Sequence, residues 1–265
     1  MPEQVAKPVV FLHIPKTAGS TLYRILESHY RWEDIYTLWQ TGTLDEFKQL
    51  SLAELAQIEL LRGHFSYGLA QSLPETAVFF TILREPIDRV ISYYHFVRRT
   101  PHHYCHQRVT DQNMSLEQFV TSQIDTLVDN GQTRLLTNLS HGHEIPFGEL
   151  TEDHLAQAKQ NLQKMQVVGL MERFDETLFL LRAAFGWQKI RYARQNVTSK
   201  RRAATDLPPA TQAALQAVNQ LDLELYQFAQ GLFEEQLAGL GNDFQQQLAA
   251  FQVENGRFQP LTKLF

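Results

Sequence analysis

Hydrophobic positions along this chain fall into two patterns, short unbroken runs and spaced repeats. Residues 9–13 (VVFLH) form a run of the kind a strand buried on both faces shows. From residue 20 to 29 the apolar positions are Leu22, Ile25 and Leu26, one face of a helix. Ser51 and Glu54 stand at capping-box spacing and predict a short helix. Residues 58–61 then either end that helix or form a strand leading into Gly63-His64. Residues 77–83 (AVFFTIL) predict the clearest second strand. Pro86 suits the first position of the helix that follows, which continues through Val90, Ile91, Tyr94 and Val97. Ser115 and Gln118 repeat the capping-box spacing, and Thr151 caps a predicted helix reaching about residue 165. Residues 167–170 predict a third strand. Residues 174–185 predict an apolar helix stopped by Gly186, and residues 189–192 a fourth strand. Beyond Pro208-Pro209, Leu221, Leu225, Phe228 and Leu232 are spaced as one helix face.

Strands alternating with helices imply an α/β fold, a mostly parallel central sheet flanked by helices. The change of pattern near residue 208 divides the expectation into a core over 1–207 and a helical C-terminal extension over 208–265 packed on it.

Composition narrows the function. The chain has 265 residues, 43% of them hydrophobic and 20% charged, an ordinary globular balance. A net charge of −5 excludes bulk electrostatic binding of nucleic acid. The charge is uneven. Arg182, Lys189, Arg191, Arg194, Lys200, Arg201 and Arg202 lie in a stretch without an acid, which suggests a small anionic ligand. Cys105 is the single cysteine, so no intramolecular disulfide forms. No apolar run approaches the roughly 18 residues a membrane span needs, and the N-terminus lacks the pattern of a secretory signal. These features lead to the expectation of a cytoplasmic enzyme.

The strongest chemical signal is the connection after the first predicted strand. Pro15-Lys16-Thr17-Ala18-Gly19-Ser20-Thr21 joins that strand to a helix. A helix start presents unpaired N–H groups and a partial positive charge, a natural seat for an anion. Gly19 lets a ligand approach the backbone, Thr17, Ser20 and Thr21 add hydroxyls, and Lys16 adds a mobile charge. The lysine precedes the glycine, so this is not a Walker loop, and no Walker loop occurs in the chain.

HIPKTAGST after a strand resembles the 5′-phosphosulfate loop of sulfotransferases that use 3′-phosphoadenosine 5′-phosphosulfate (PAPS), on the side of the heparan sulfate 2-O-sulfotransferase branch and related carbohydrate enzymes. Further segments match in order: Gly63-His64-Phe65-Ser66-Tyr67, Leu83-Arg84-Glu85-Pro86 with Arg89-Val90-Ile91-Ser92, Gln132-Thr133-Arg134-Leu135-Leu136, and Val168 through Phe174. The resemblance implies a P-loop-kinase-like sulfotransferase fold and PAPS as co-substrate. It implies that Arg84 and Ser92 hold the 3′-phosphate, and that a basic loop containing Lys200 and Arg201 closes over the nucleotide. An arginine ending a strand can bind phosphate bidentately, and a serine two turns into the next helix adds a donor.

Sulfuryl transfer to a hydroxyl needs a base, and a histidine titrating near neutrality suits that work. His64, in a segment that resembles the family's catalytic histidine region, is the first candidate, with Glu27, Glu85 and Asp88 behind it. Lys16 can stabilise charge on the leaving group, and His13 is read as orienting the loop. No metal is required by this scheme. His102, His103, Cys105 and His106 have spacing that fits no standard zinc pattern and are read, like His141 and His143, as a substrate-facing loop or plain surface. The acceptor expected is a carbohydrate or glycolipid hydroxyl. An ATP-dependent small-molecule kinase and a catalytically silent nucleotide binder are the alternatives. The first needs the missing Walker loop, and the second is disfavoured by an intact Lys16 and His64.

Overall fold

The apolar runs become the strands of one sheet. The structure, a computed structural model, describes residues 8–193 and 206–258. Strands β1 (Val9–Leu12), β2 (Ile35–Thr37), β3 (Leu60–Gly63), β4 (Val78–Leu83) and β5 (Val167–Leu170) lie in the order β2-β3-β1-β4-β5. Every pairing is parallel, with Val9 opposite Leu60 on one side and Val78 on the other. Both faces of β1, β3, β4 and β5 are covered, which is why these segments carry no polar alternation.

Helix α1 (Gly19–Leu26) follows β1, while α2 (Leu44–Lys48) and α3 (Leu52–Leu55) join β2 to β3. Thr43 and Ser51 begin these two with capping boxes. Helix α4 (Pro86–Arg99) leaves β4, with the Glu85 carboxylate accepting the N–H groups of Ile87 and Asp88 at 3.2 and 2.6 Å. Four short or medium helices follow: α5 (His106–Asp111), α6 (Leu116–Thr121), α7 (Gly131–Leu136) and α8 (Glu152–Gln163). Helix α9 (Phe174–Phe185) ends at Gly186 in the left-handed conformation, as its sequence predicts. Helices α10 (Pro209–Ala217), α11 (Gln220–Ala238) and α12 (Phe244–Phe258) complete the chain described. Helix α11 packs on β5 and α8, and α12 on α9, where Phe244 and Phe251 meet Phe179 edge to face. Residues of α11 and α12 share one hydrophobic core with the sheet, and a second cluster lies under α4, α5, α6 and α10. No described helix is long and apolar enough to cross a membrane.

Three expectations need correction. Residues 189–192 are not a strand: Ile190 and Tyr192 are buried, but the Tyr192 N–H donates to Asn255 Oδ1 of α12 at 3.0 Å, not to a neighbouring strand. Ile190 and Tyr192 alternate with exposed Lys189 and Arg191, and the segment lies against α12 rather than at the edge of the sheet. Strand β2 escaped notice because three residues with a half-polar pattern carry too little signal. The buried face of α11 is also rotated. Leu225, Tyr226, Ala229, Phe233 and Leu237 point inward, while Leu221, Phe228 and Leu232 are half-buried. Asp222 rotates it, because this buried carboxylate accepts the N–H groups of Gln132 and Thr133 at the start of α7 (3.0 and 2.7 Å) and lies 3.7 Å from the buried Arg89 guanidinium.

Candidate active site

The sheet order puts the carboxyl ends of β3, β1 and β4 side by side, the edge where open α/β sheets bind ligands. Each of the three strands delivers one part of the site.

From β1 comes the loop of residues 13–18. Lys16 and Ala18 take left-handed backbone angles (φ 76° and 67°), uncommon for residues with a Cβ. Left-handed residues in such a loop are the kind of backbone from which anion-binding concavities are built. Helix α1 starts at once, with Ala18 at its N-cap and no side chain capping it. Thr17 is fully buried, and its hydroxyl donates to the Ile14 carbonyl at 2.8 Å, so that donor is used by the loop itself. Ser20 is exposed, Thr21 buried, and Pro15 half-buried. Gly19 has a reason the sequence did not show. A Cβ there would lie 1.8 Å from His13 Nε2, so the glycine makes room for the His13 ring.

From β4 comes Arg84, whose Nη1 donates to the Lys16 carbonyl at 3.1 Å and whose Nη2 lies 3.6 Å from Asp88. The Gln132 side chain accepts the Arg84 N–H (3.0 Å) and donates to its carbonyl (2.8 Å), fixing the backbone at this corner. Lys16 reaches across to α4, where its Nζ sits 4.1 Å from the centre of the Phe96 ring. Burial, then the charges of Arg99 and Arg84, bring its pKa down to about 8. Asp88, Ser92 and Phe96 are spaced four apart along α4, so half-buried Ser92 stands one turn from the Arg84 ion pair and one turn from the Lys16 contact. Phe96 and Arg99 were missed in the sequence, although they extend the Asp88–Ser92 stripe by one further turn.

From β3 comes His64. Its Nδ1 lies 2.7 Å from the His13 carbonyl, which can only accept, so Nδ1 carries the hydrogen and Nε2 keeps its lone pair. The two imidazole rings lie 4.3 Å apart. His64 is exposed as a residue, with its ring packed beside His13. Burial lowers its pKa, the His13 bond opposes this, and Lys16 adds to it. His13 is held well below the ordinary value by burial first and then by His64, Lys16 and Arg62. Its Nδ1 lies 3.2 Å from the Tyr23 hydroxyl, and its ring stacks on Phe11.

The sulfotransferase family model matches residues 5–229. This chain belongs to the sulfotransferase family. It is 26% identical over 276 residues to human (Homo sapiens) heparan-sulfate 6-O-sulfotransferase 1, covering 86% of this chain and 66% of that protein. It is 27% identical over 274 residues to zebrafish (Danio rerio) heparan-sulfate 6-O-sulfotransferase 2, covering 85% and 58% respectively. The chain therefore spans under two thirds of the length of these relatives. A solved sulfotransferase from Alicyclobacillus acidocaldarius has a TM-score of 0.49 at 16% identity, covering 87% of this chain and 97% of that one. The sequence resemblance pointed to the 2-O branch, whereas these relatives carry the 6-O name.

The other candidates of this sulfotransferase-family chain have partners of their own. Glu27 pairs with Arg62 at 2.9 Å, Glu85 caps α4, and Asp88 faces Arg84. Burial raises the pKa of Glu85 against the two N–H groups it accepts. His103 lies 3.1 Å from the Tyr93 hydroxyl, which donates to Asp125, while His106 bonds the Val97 carbonyl and His143 the Thr126 hydroxyl. Burial pushes the Cys105 thiol up to about 12. Among the described residues no three His, Cys, Asp or Glu side chains converge as a metal site requires. Lys200 and Arg201 lie outside the described residues.

Proposed function

We propose that this chain moves the sulfuryl group of PAPS to a hydroxyl of a carbohydrate acceptor, with His64 as the base. The observation that carries the reading is the His64 hydrogen bond to the His13 carbonyl. It leaves Nε2 as the acceptor of a proton beside the phosphate-type loop. The residues fit the co-substrate: an uncapped helix start follows a left-handed loop, Lys16 and Arg84 of that corner reach Phe96 and Asp88 of α4, and the charges of Arg99 and Arg84 act on Lys16.

When bound, PAPS supplies an activated sulfuryl group and a phosphate leaving group. The backbone of residues 15–21 and the Lys16 ammonium would hold its 5′ end. Lys16 neutralises charge that grows on the departing oxygen, a preorganised electrostatic role. Arg84 and Ser92 would take the 3′-phosphate, and Lys200 and Arg201 are assigned to the nucleotide on the sequence resemblance alone. His64 Nε2 accepts the proton of the acceptor hydroxyl. Its lowered pKa keeps it unprotonated at neutral pH, ready for that step. The names of the relatives support a carbohydrate acceptor, and both 2-O and 6-O positions belong in the assay.

A general base contributes roughly 10²–10⁴ in rate. His64→Ala should therefore lose at least about a hundredfold in kcat, while calorimetry finds unchanged affinity for adenosine 3′,5′-bisphosphate. In the wild type kcat/KM should fall as pH drops through a value below the ordinary histidine pKa, because the imidazolium cannot accept a proton. A variant with near wild-type kcat would move the base to Glu27, Glu85 or Asp88. A wild type that binds the nucleotide but transfers nothing would be the silent binder.

A further inference from the structure

Trp39 is 63% exposed, although it is fastened at both its backbone and its ring. It follows β2 with φ 73°, a left-handed angle that a bulky residue adopts only where its surroundings dictate it. Here they do. The Trp39 N–H donates to the Gly42 carbonyl at 2.8 Å. The Thr37 carbonyl accepts from Gln40 and Thr41, and the Thr41 hydroxyl accepts the Thr37 N–H at 3.0 Å. Gly42 has no space for a side chain, since a Cβ would sit 2.3 Å from the Tyr36 hydroxyl. The indole Nε1 donates to the His64 carbonyl at 3.2 Å. The polar edge of the ring is thus satisfied by the candidate base's own backbone, while much of its apolar surface meets water.

Strand order gives this ring a direction. The phosphate-type loop and Arg84 come from β1 and β4, His64 from β3, and Trp39 from β2 at the outer side. In-line displacement brings the acceptor to sulfur from the side opposite the leaving phosphate. With the nucleotide assigned to the β1 and β4 side, the β2 side beyond His64, where Trp39 stands, is left for the acceptor. A pyranose presents a face of C–H groups with hydroxyls at its rim. A fixed aromatic plane with its N–H turned inward suits such a face, because burying two apolar surfaces is favourable and the ring has little conformational freedom left to lose.

We propose that Trp39 is the acceptor platform: a sugar ring of the acceptor stacks on the indole and presents a hydroxyl to His64 Nε2. The proposal rests on the carbohydrate sulfotransferase reading above.

The test compares wild type, Trp39→Ala and Trp39→Phe, with heparan-sulfate oligosaccharides as the acceptor probe. Trp39→Ala should raise the acceptor KM at least about tenfold, a change of about 1.4 kcal/mol. The KM for PAPS and the affinity for adenosine 3′,5′-bisphosphate should stay constant, which also reports an intact fold. Trp39→Phe keeps an aromatic face and loses the N–H, so its acceptor KM should stay much nearer wild type. The indole N–H resonance of Trp39, identified by its loss in Trp39→Phe, should shift when oligosaccharide is added without PAPS. An unchanged acceptor KM in Trp39→Ala would overturn the platform. So would equal losses of kcat in both variants, which would make Trp39 a positioning residue for His64. If wild type transfers nothing but oligosaccharide still shifts the indole signal, the sulfotransfer reading falls and the platform stands. No shift would sink the platform.

Discussion

Replacing Gly19 with alanine adds one methyl group to a helix start, where propensity alone favours the change by roughly 0.5–1 kcal/mol. The backbone angle raises no objection, since Gly19 is outside the left-handed region. The space does. The new Cβ would lie 1.8 Å from Nε2 and 1.9 Å from Cε1 of His13. Ordinary carbon contacts are about 3.5–4.0 Å, so the ring would have to retreat by roughly 2 Å. Its exits are blocked by Phe11 stacked at 5.2 Å, Tyr23 at 5.2 Å and His64 at 4.3 Å. Overpacking of this kind costs about 1–3 kcal/mol, so Gly19→Ala should destabilise by a net amount on the order of 1–2 kcal/mol. Urea unfolding measures it. Adding His13→Ala should recover much of the loss, and the double-mutant cycle should give a coupling above about 0.5 kcal/mol. Because the His13 carbonyl holds His64, kcat should fall as well. A stabilised Gly19→Ala with wild-type kinetics would refute the reasoning. Weakened nucleotide binding at unchanged stability would instead restore the idea that the glycine serves ligand approach.

The remaining predictions concern the anion site. Adenosine 3′,5′-bisphosphate should bind at least about tenfold more tightly than ADP or AMP, a difference of about 1.4 kcal/mol; equal affinities by calorimetry would remove the 3′-phosphate site. Arg84→Ala should cost about 2–4 kcal/mol in kcat/KM for PAPS, and unchanged kinetics with an intact circular dichroism spectrum would remove the case that Arg84 holds a phosphate. Without nucleotide the Lys16 ammonium loses its proton near pH 8, and only the ammonium attracts an anion. Nucleotide affinity should therefore fall as pH rises through about 8 in wild type and stay flatter in Lys16→Ala; the same pH dependence in both proteins would assign the titration elsewhere.

Much of the fold was legible because local sequence encodes local structure. The runs at residues 9–13, 77–83 and 167–170 read as strands and contain β1, β4 and β5. Ser51, Ser115 and Gly186 marked helix ends through hydrogen bonds made within a few residues. The strand–loop–helix connection proposed to hold the phosphosulfate was legible for the same reason, since a strand, a lysine, a glycine and a helix start are neighbours in the chain. What belonged to residues distant in sequence was not. Nothing local says that His13 needs Gly19 bare, that Phe96 lies under Lys16, or that Trp39 donates to the carbonyl of His64. Nor does it say that Asp222 is buried to hold the start of α7, which turned the apolar face of α11 away from the one its leucines suggested. Hydrophobic period and capping chemistry depend on residues within a turn or two of each other, so the chain alone determined most of its elements and the strand–loop–helix connection at residues 13–19. Strand order decides which carboxyl ends meet. That order is a global packing solution without a local signature, so only the tertiary structure brought loop, arginine, histidine and tryptophan to one edge.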